Sequence, residues 1–181
     1  MMSTTTEVAL DPDKLYEIVD GQPEEKEMPG ARHGGIGARL TIEIGVYLKT
    51  NKLGGLYVET SFQIGENERI PDLAFVSTAR IPLEGEPETK WPMPPDLAVE
   101  VISPNDLYEK VYAKVMEYLA AGVKQVWLVS AEHRTVTIYR SATDITAFPG
   151  DRELVSEDLF PGFRCHLREI FVSPVQATTL T

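Results

Sequence analysis

The chain has 181 residues, 43% hydrophobic and 25% charged, which suits one compact globular unit with a sizeable buried core. A formal net charge of −11 repels a phosphate backbone at long range and argues against a protein that coats DNA through electrostatics. No run approaches the ~20 apolar residues of a membrane span, the N-terminus has no basic-then-apolar leader, and Cys165 with three scattered histidines offers neither a disulfide nor a zinc cluster, so no membrane association and a cytoplasmic location are expected.

Residues 1–12 are Thr-rich and unpatterned and predict a flexible N-terminus, followed by one domain over 13–173 and a tail over 174–181. Lys14 to Asp20 alternates apolar and polar residues up to Gly21, a short strand and turn. Gln22 to Gly30 is acidic, carries Pro23 and Pro29, and predicts a loop. From Ala31 to Thr50, Ile36, Leu40, Ile44 and Leu48 recur every four positions, a helix with one buried stripe. Leu56 to Ile64 predicts a single strand, Glu66 to Arg69 a turn, and Asp72 to Ser77 the next strand. Residues 80–95 are a proline-rich loop. Asp96 to Ile102 is a dense apolar run suited to a central strand. Ser103-Pro104-Asn105-Asp106 signals a helix start, with Asn105 or Asp106 as N-cap. That helix runs to Ala121, stops at Gly122, and buries Val111, Val115, Tyr118 and Leu119. Val123 to Ser130 reads as a core strand containing Trp127, with Thr135 to Tyr139 as its hairpin partner. Edge strands are expected near Ile145 to Phe148 and Leu154 to Val155, while Leu167 to Phe171 has no clear assignment. The order predicts an α/β fold, a mixed central sheet flanked by helices.

Two charges stand where apolar residues belong. Asp72 opens an apolar strand after Pro71, and Glu100 sits inside Asp-Leu-Ala-Val-Glu-Val-Ile. An unpaired carboxylate in a core strand costs several kcal/mol. A divalent cation would compensate it; so would exposure at a sheet edge or a buried arginine. Lys114, on the helix after the Glu100 strand, reaches the space before Glu100 if that helix folds back across the sheet; a solvated lysine is the alternative.

This pattern resembles the PD-(D/E)XK nuclease superfamily in Pro71-Asp72 and in Glu100 with Val101 after it. Ile102 stands where the usual lysine would. More narrowly, the chain resembles the Uma-type restriction endonuclease family, in which the lysine sits on the following helix, where Lys114 is found. The resemblance spans about residues 14–140, through Tyr16 to Gly21, His33, Pro71 to Val76, Asp96 to Pro104, Lys114 to Val123 and Val126 to Val129. It implies a restriction-endonuclease-like fold and Mg²⁺-dependent hydrolysis of DNA phosphodiester bonds, with Mn²⁺ as a substitute and a homodimer as the working form. Asp72, Glu100 and the Val101 backbone carbonyl would hold the metal, and Lys114 would orient or help deprotonate the attacking water. Glu17 and His33 stand as supporting candidates, Tyr118 is expected to pack against Lys114, and Glu59 and Gln63 flank the site. A catalytically silent relative that binds nucleic acid or protein is the alternative, and the acidic balance favours it.

Overall fold

A computed structural model describes residues 10–103 and 105–172, so the expectations for residues 1–9, Pro104 and the 174–181 tail lie outside the described residues. The chain begins with strands β1 (Tyr16–Val19) and β2 (Gln22–Glu25). Asp20 and Gly21 between them both have positive φ, +50° and +72°, the backbone a two-residue hairpin turn demands. The first part of the expected loop, Gln22–Glu25, is therefore a strand, while residues 26–30 are loop as expected. Pro23 is tolerated because β2 is the outer strand of its sheet, where a missing N–H breaks no ladder on the open side.

Helix α1 (Ala31–Thr50) has the expected bounds and buries Ile36, Leu40, Ile44 and Leu48. The predicted strand from Leu56 to Ile64 divides into β3 (Gly54–Val58) and β4 (Phe62–Ile64). Glu59, at φ +47°, turns the chain out of one sheet and into another. Residues 67–69, expected as a turn, form β5 (Asn67–Arg69), paired with β4 and touching β1 at Ile18. Then follow β6 (Leu73–Ser77), β7 (Leu97–Ile102), α2 (Tyr108–Ala120), β8 (Gln125–Ser130), β9 (Thr135–Tyr139), β10 (Ile145–Pro149), β11 (Glu153–Val155), β12 (Arg164–His166) and the short α3 (Leu167–Phe171). The α2 N-cap is Leu107, with no side-chain cap, rather than Asn105 or Asp106; Asp106 instead accepts a hydrogen bond from the Ser103 backbone at 2.8 Å.

The main sheet has the order β10-β9-β8-β7-β6-β3. Only β7 and β8 run parallel, and α2 makes their crossover; the other neighbours are antiparallel. Strand alternation sends Leu97, Val99 and Val101 to the face covered by α1 and α3, with Trp127 and Phe160 in the same core. Ala98 faces α2, packed with Val115, Tyr118 and Val126, and Glu100 shares its parity on β7. The second sheet, β2-β1-β5-β4, lies beside the α2 face, joined through Phe62 stacked on Trp91. No helix among the described residues is long and apolar enough to cross a membrane.

Candidate active site

The β6–β7 register pairs Leu73 with Val99, and one further step would set residue 72 against residue 100. The ladder ends there, because the Asp72 side chain takes over: its Oδ2 accepts the Val101 N–H at 2.7 Å. Strand pairing so brings the two sequence-predicted carboxylates to neighbouring positions at the end of one strand pair. Beside them a cleft of about 500 Å³ opens between the β1–β2 hairpin and the start of α2.

Asp72 is buried and closely satisfied. Lys26 Nζ lies 2.9 Å from its Oδ1, 2.8 Å from Glu59 Oε2 and 2.7 Å from the Ile70 carbonyl. His33 Nε2 sits 3.0 Å from Asp72 Oδ2 without the alignment of a hydrogen bond, and its Nδ1 is 3.4 Å from Ser103 Oγ. Burial alone would raise the Asp72 carboxyl, but His33, Lys26 and the Val101 N–H together hold it down at about 2. The same contact with Asp72 raises His33 above 6.5. His33 is in the first turn of α1 but does not cap it; the N-cap is Gly30.

Glu100 occupies the other half. Lys114 Nζ lies 2.9 Å from Glu100 Oε1, and the Tyr118 hydroxyl donates to the same oxygen at 2.7 Å. Both contacts fall on Oε1, which leaves Oε2 for a further partner. Burial raises the Glu100 carboxyl above 4.5; Lys114 opposes this and the nearby Asp72 adds to it. Lys114 and Tyr118, four residues apart on α2, project onto β7 from one helix face. The expected packing of Tyr118 on Lys114 is present, with Nζ 5.9 Å from the ring centre. Burial lowers the Lys114 pKa, but Glu100 and Glu17 outweigh it, so the group stays a fixed cation.

Glu17 is buried and joins the cluster. Its Oε1 accepts from Lys114 at 2.9 Å and from the Ile70 N–H at 2.8 Å, while Oε2 accepts from Arg69 at 2.9 Å. Arg69 also forks onto Glu117 of α2, whose Oε1 takes the Asn67 side-chain amide. Gln63 lies apart from the site, bonded to the Gly65 and Asn67 carbonyls. Lys26, Arg69 and Glu117 are the participants sequence reasoning passed over. Lys26 stands in the acidic stretch Glu24-Glu25-Lys26-Glu27, where a surface charge is the ordinary reading. Arg69 is closer to legible, three residues before Asp72.

The family model Uma2, described as "Putative restriction endonuclease", matches residues 5–168. No curated protein matches the sequence. Among solved structures, one described as a "putative nuclease belonging to DUF820" from Anabaena variabilis is 22% identical, with a TM-score of 0.80 over 90% of this chain and 93% of that one. At that identity the likeness establishes the fold.

Proposed function

The chain belongs to the Uma2 family, and from that membership and the paired carboxylates we propose that it is a metal-dependent endonuclease hydrolysing DNA phosphodiester bonds at Asp72, Glu100 and Lys114. The observation that carries this reading is the convergence of Asp72 and Glu100, two charges set in apolar strands, on one end of the β6–β7 pair with Lys114 2.9 Å from Glu100. No three Asp, Glu, His or Cys side chains among the described residues group as a closed metal cage. Mg²⁺ does not ask for one: it keeps several waters and is held by one or two carboxylates together with substrate phosphate. The hard-oxygen donors therefore fit, with Glu100 Oε2, the Asp72 carboxylate and the Val101 carbonyl as its ligands. When bound, Mg²⁺ or Mn²⁺ would polarise the phosphoryl oxygen and make an attacking water more acidic.

The protein's own groups do the rest. Tyr118 and Lys114 fix the rotamer of Glu100, and Glu17, held by Arg69, fixes Lys114. Lys114 keeps a positive charge at the cleft floor, where negative charge grows on the phosphoryl oxygens, without giving up a proton. Lys26 holds Asp72 ionised and must release Oδ1 for a cation to share it. A two-fold homodimer would offer two such clefts to opposite strands. A catalytically silent binding relative is the second reading, favoured by the net charge of −11.

The test is cleavage of supercoiled, linear and single-stranded DNA with Mg²⁺ or Mn²⁺, comparing wild type with Asp72→Asn and Glu100→Gln. Cleavage lost in both folded variants is expected. A wild type inert on every substrate would sink the catalytic reading in favour of the silent one.

A further inference from the structure

Next to the catalytic cleft lies a second, smaller cavity of about 250 Å³. Tyr108 and Tyr112 of α2 line it from one side and Tyr139 of β9 from the other. Tyr108 and Tyr112 stack on each other with ring centres 5.9 Å apart and planes 16° apart. Neither is a core residue: Tyr108 is 71% exposed and Tyr112 36%. The groove is continuous with the cleft, because Ile102, Asp106, Val111 and Leu128 line both.

The two cavities divide the chemistry of a nucleotide between them. The cleft holds cations, but Lys26, Arg69 and Lys114 are already paired with its carboxylates, which leaves Lys110, with no ion pair among the described residues, to meet a phosphate. Among the described residues the groove is lined by no cation; around its aromatic and aliphatic walls stand Asp106, Ser130 and Thr137, which suit the amines and carbonyls of a base edge and not a phosphate. Its volume falls below the roughly 300–1,000 Å³ of drug-sized sites, with room for one flat ring system. A base paired within a duplex presents no free face to such a slot, whereas an unpaired base does.

We propose that the Tyr108–Tyr112–Tyr139 groove is a base-stacking subsite that receives an unpaired base of single-stranded DNA while the adjoining phosphate lies in the cleft. The inference rests on the nuclease reading for its choice of ligand and deepens it by naming the substrate class. The charge of the molecule points the same way. At −11, long-range attraction cannot supply the affinity, and a single strand carries a lower phosphate density than a duplex. Stacking is indifferent to net charge and would hold the strand where electrostatics does not.

The experiment titrates the full chain, in EDTA so that no cleavage occurs, into a short single-stranded DNA carrying 2-aminopurine. Quenching on binding is expected, with Kd raised about tenfold and quenching lost in Tyr108→Ala and in Tyr112→Ala, and both retained in Tyr112→Phe. An abasic nucleotide at the probe position should weaken wild-type binding to a similar degree, and the matched duplex should bind more weakly than the single strand. Both tyrosines are exposed, so circular dichroism should show the variants folded. The proposal is overturned if the alanine variants bind as wild type, if the duplex binds more tightly, or if no DNA binds. It is also overturned if sedimentation shows that the alanine changes dissolve a dimer, since the groove would then seat a second copy of the chain. The two readings fail separately: stacking without any cleavage leaves the subsite standing and removes the nuclease, while cleavage insensitive to the tyrosines does the reverse.

Discussion

Replacing Lys114 with Met keeps most of the side chain's length and removes its charge, which makes it a clean probe of the ion cluster. Lys114 pairs at 2.9 Å with both Glu17 and Glu100, and the three side chains are 20%, 11% and 16% exposed. Breaking a buried pair from one side costs roughly 3–5 kcal/mol. Glu17 keeps Arg69 and the Ile70 N–H, and Glu100 keeps the Tyr118 hydroxyl, so the low end of about 3 kcal/mol is expected. For a chain of this size that lowers Tm by ~6–12 °C. The loss should depend on pH with a definite sign. The folded Glu100 carboxyl already titrates above 4.5 because of burial, so it costs stability above 4.5 and the cost is relieved as pH falls through its folded value. Without Lys114 that value rises further. The stability gap between wild type and variant is therefore widest near pH 7 and narrows towards pH 5. Urea unfolding at the two pH values measures the gap, and Glu100→Gln added to the Lys114→Met background should recover about half of it. A gap under ~1 kcal/mol, or one that widens in acid, would refute the account of the cluster.

Three further outcomes follow from the other half of the site. Asp72, held at about 2 against an ordinary 3.8, contributes about 2 kcal/mol that is present above 3.8 and lost as pH falls through 2. Acid titrations of wild type and Asp72→Asn should converge across that window; parallel curves would contradict it. His33 is raised above 6.5, so its contribution is complete below 6.5 and disappears as pH climbs through the folded value. His33→Gln should flatten stability between pH 6 and 8, and an unchanged slope would place the proton elsewhere. Lys26→Met frees Asp72 Oδ1, so calorimetry should show Mn²⁺ binding severalfold tighter while the metal-free protein melts lower. Weaker Mn²⁺ binding would mean that Lys26 supports the metal instead of competing with it.

The parts of the fold legible in the sequence are those where one physical constraint dominates. In α1 a buried stripe every four residues fixes both the element and its four core contacts. Asp72 and Glu100 stand out because an apolar strand has no local use for a carboxylate. Lys114 was visible through family likeness, since a helical lysine alone is ordinarily solvated. What escaped depends on tertiary context. The composition of β2 contradicts a strand, and only its outer position makes Pro23 harmless. Residues 67–69 read as a turn until β4 and β1 pair with them. The division at Glu59 rests on one left-handed residue that no hydrophobic pattern marks. α3 is only five residues long, too short for periodicity, and is held by burial of Leu167, Ile170 and Phe171 and by Arg39 donating to the Ile170 carbonyl at 2.6 Å. Lys26 lies far from Asp72 in sequence and meets it only because the hairpin folds over the end of the main sheet.

The most direct test of the site as a metal centre is the anomalous scattering of crystals soaked in Mn²⁺. A peak is expected within coordination distance of the Asp72 and Glu100 carboxylates, with the Lys26 ammonium drawn off Asp72 Oδ1 and Lys114 still paired with Glu100. A cleft without a peak at saturating Mn²⁺, with Lys26 still seated on Asp72, would contradict the metal-centre reading.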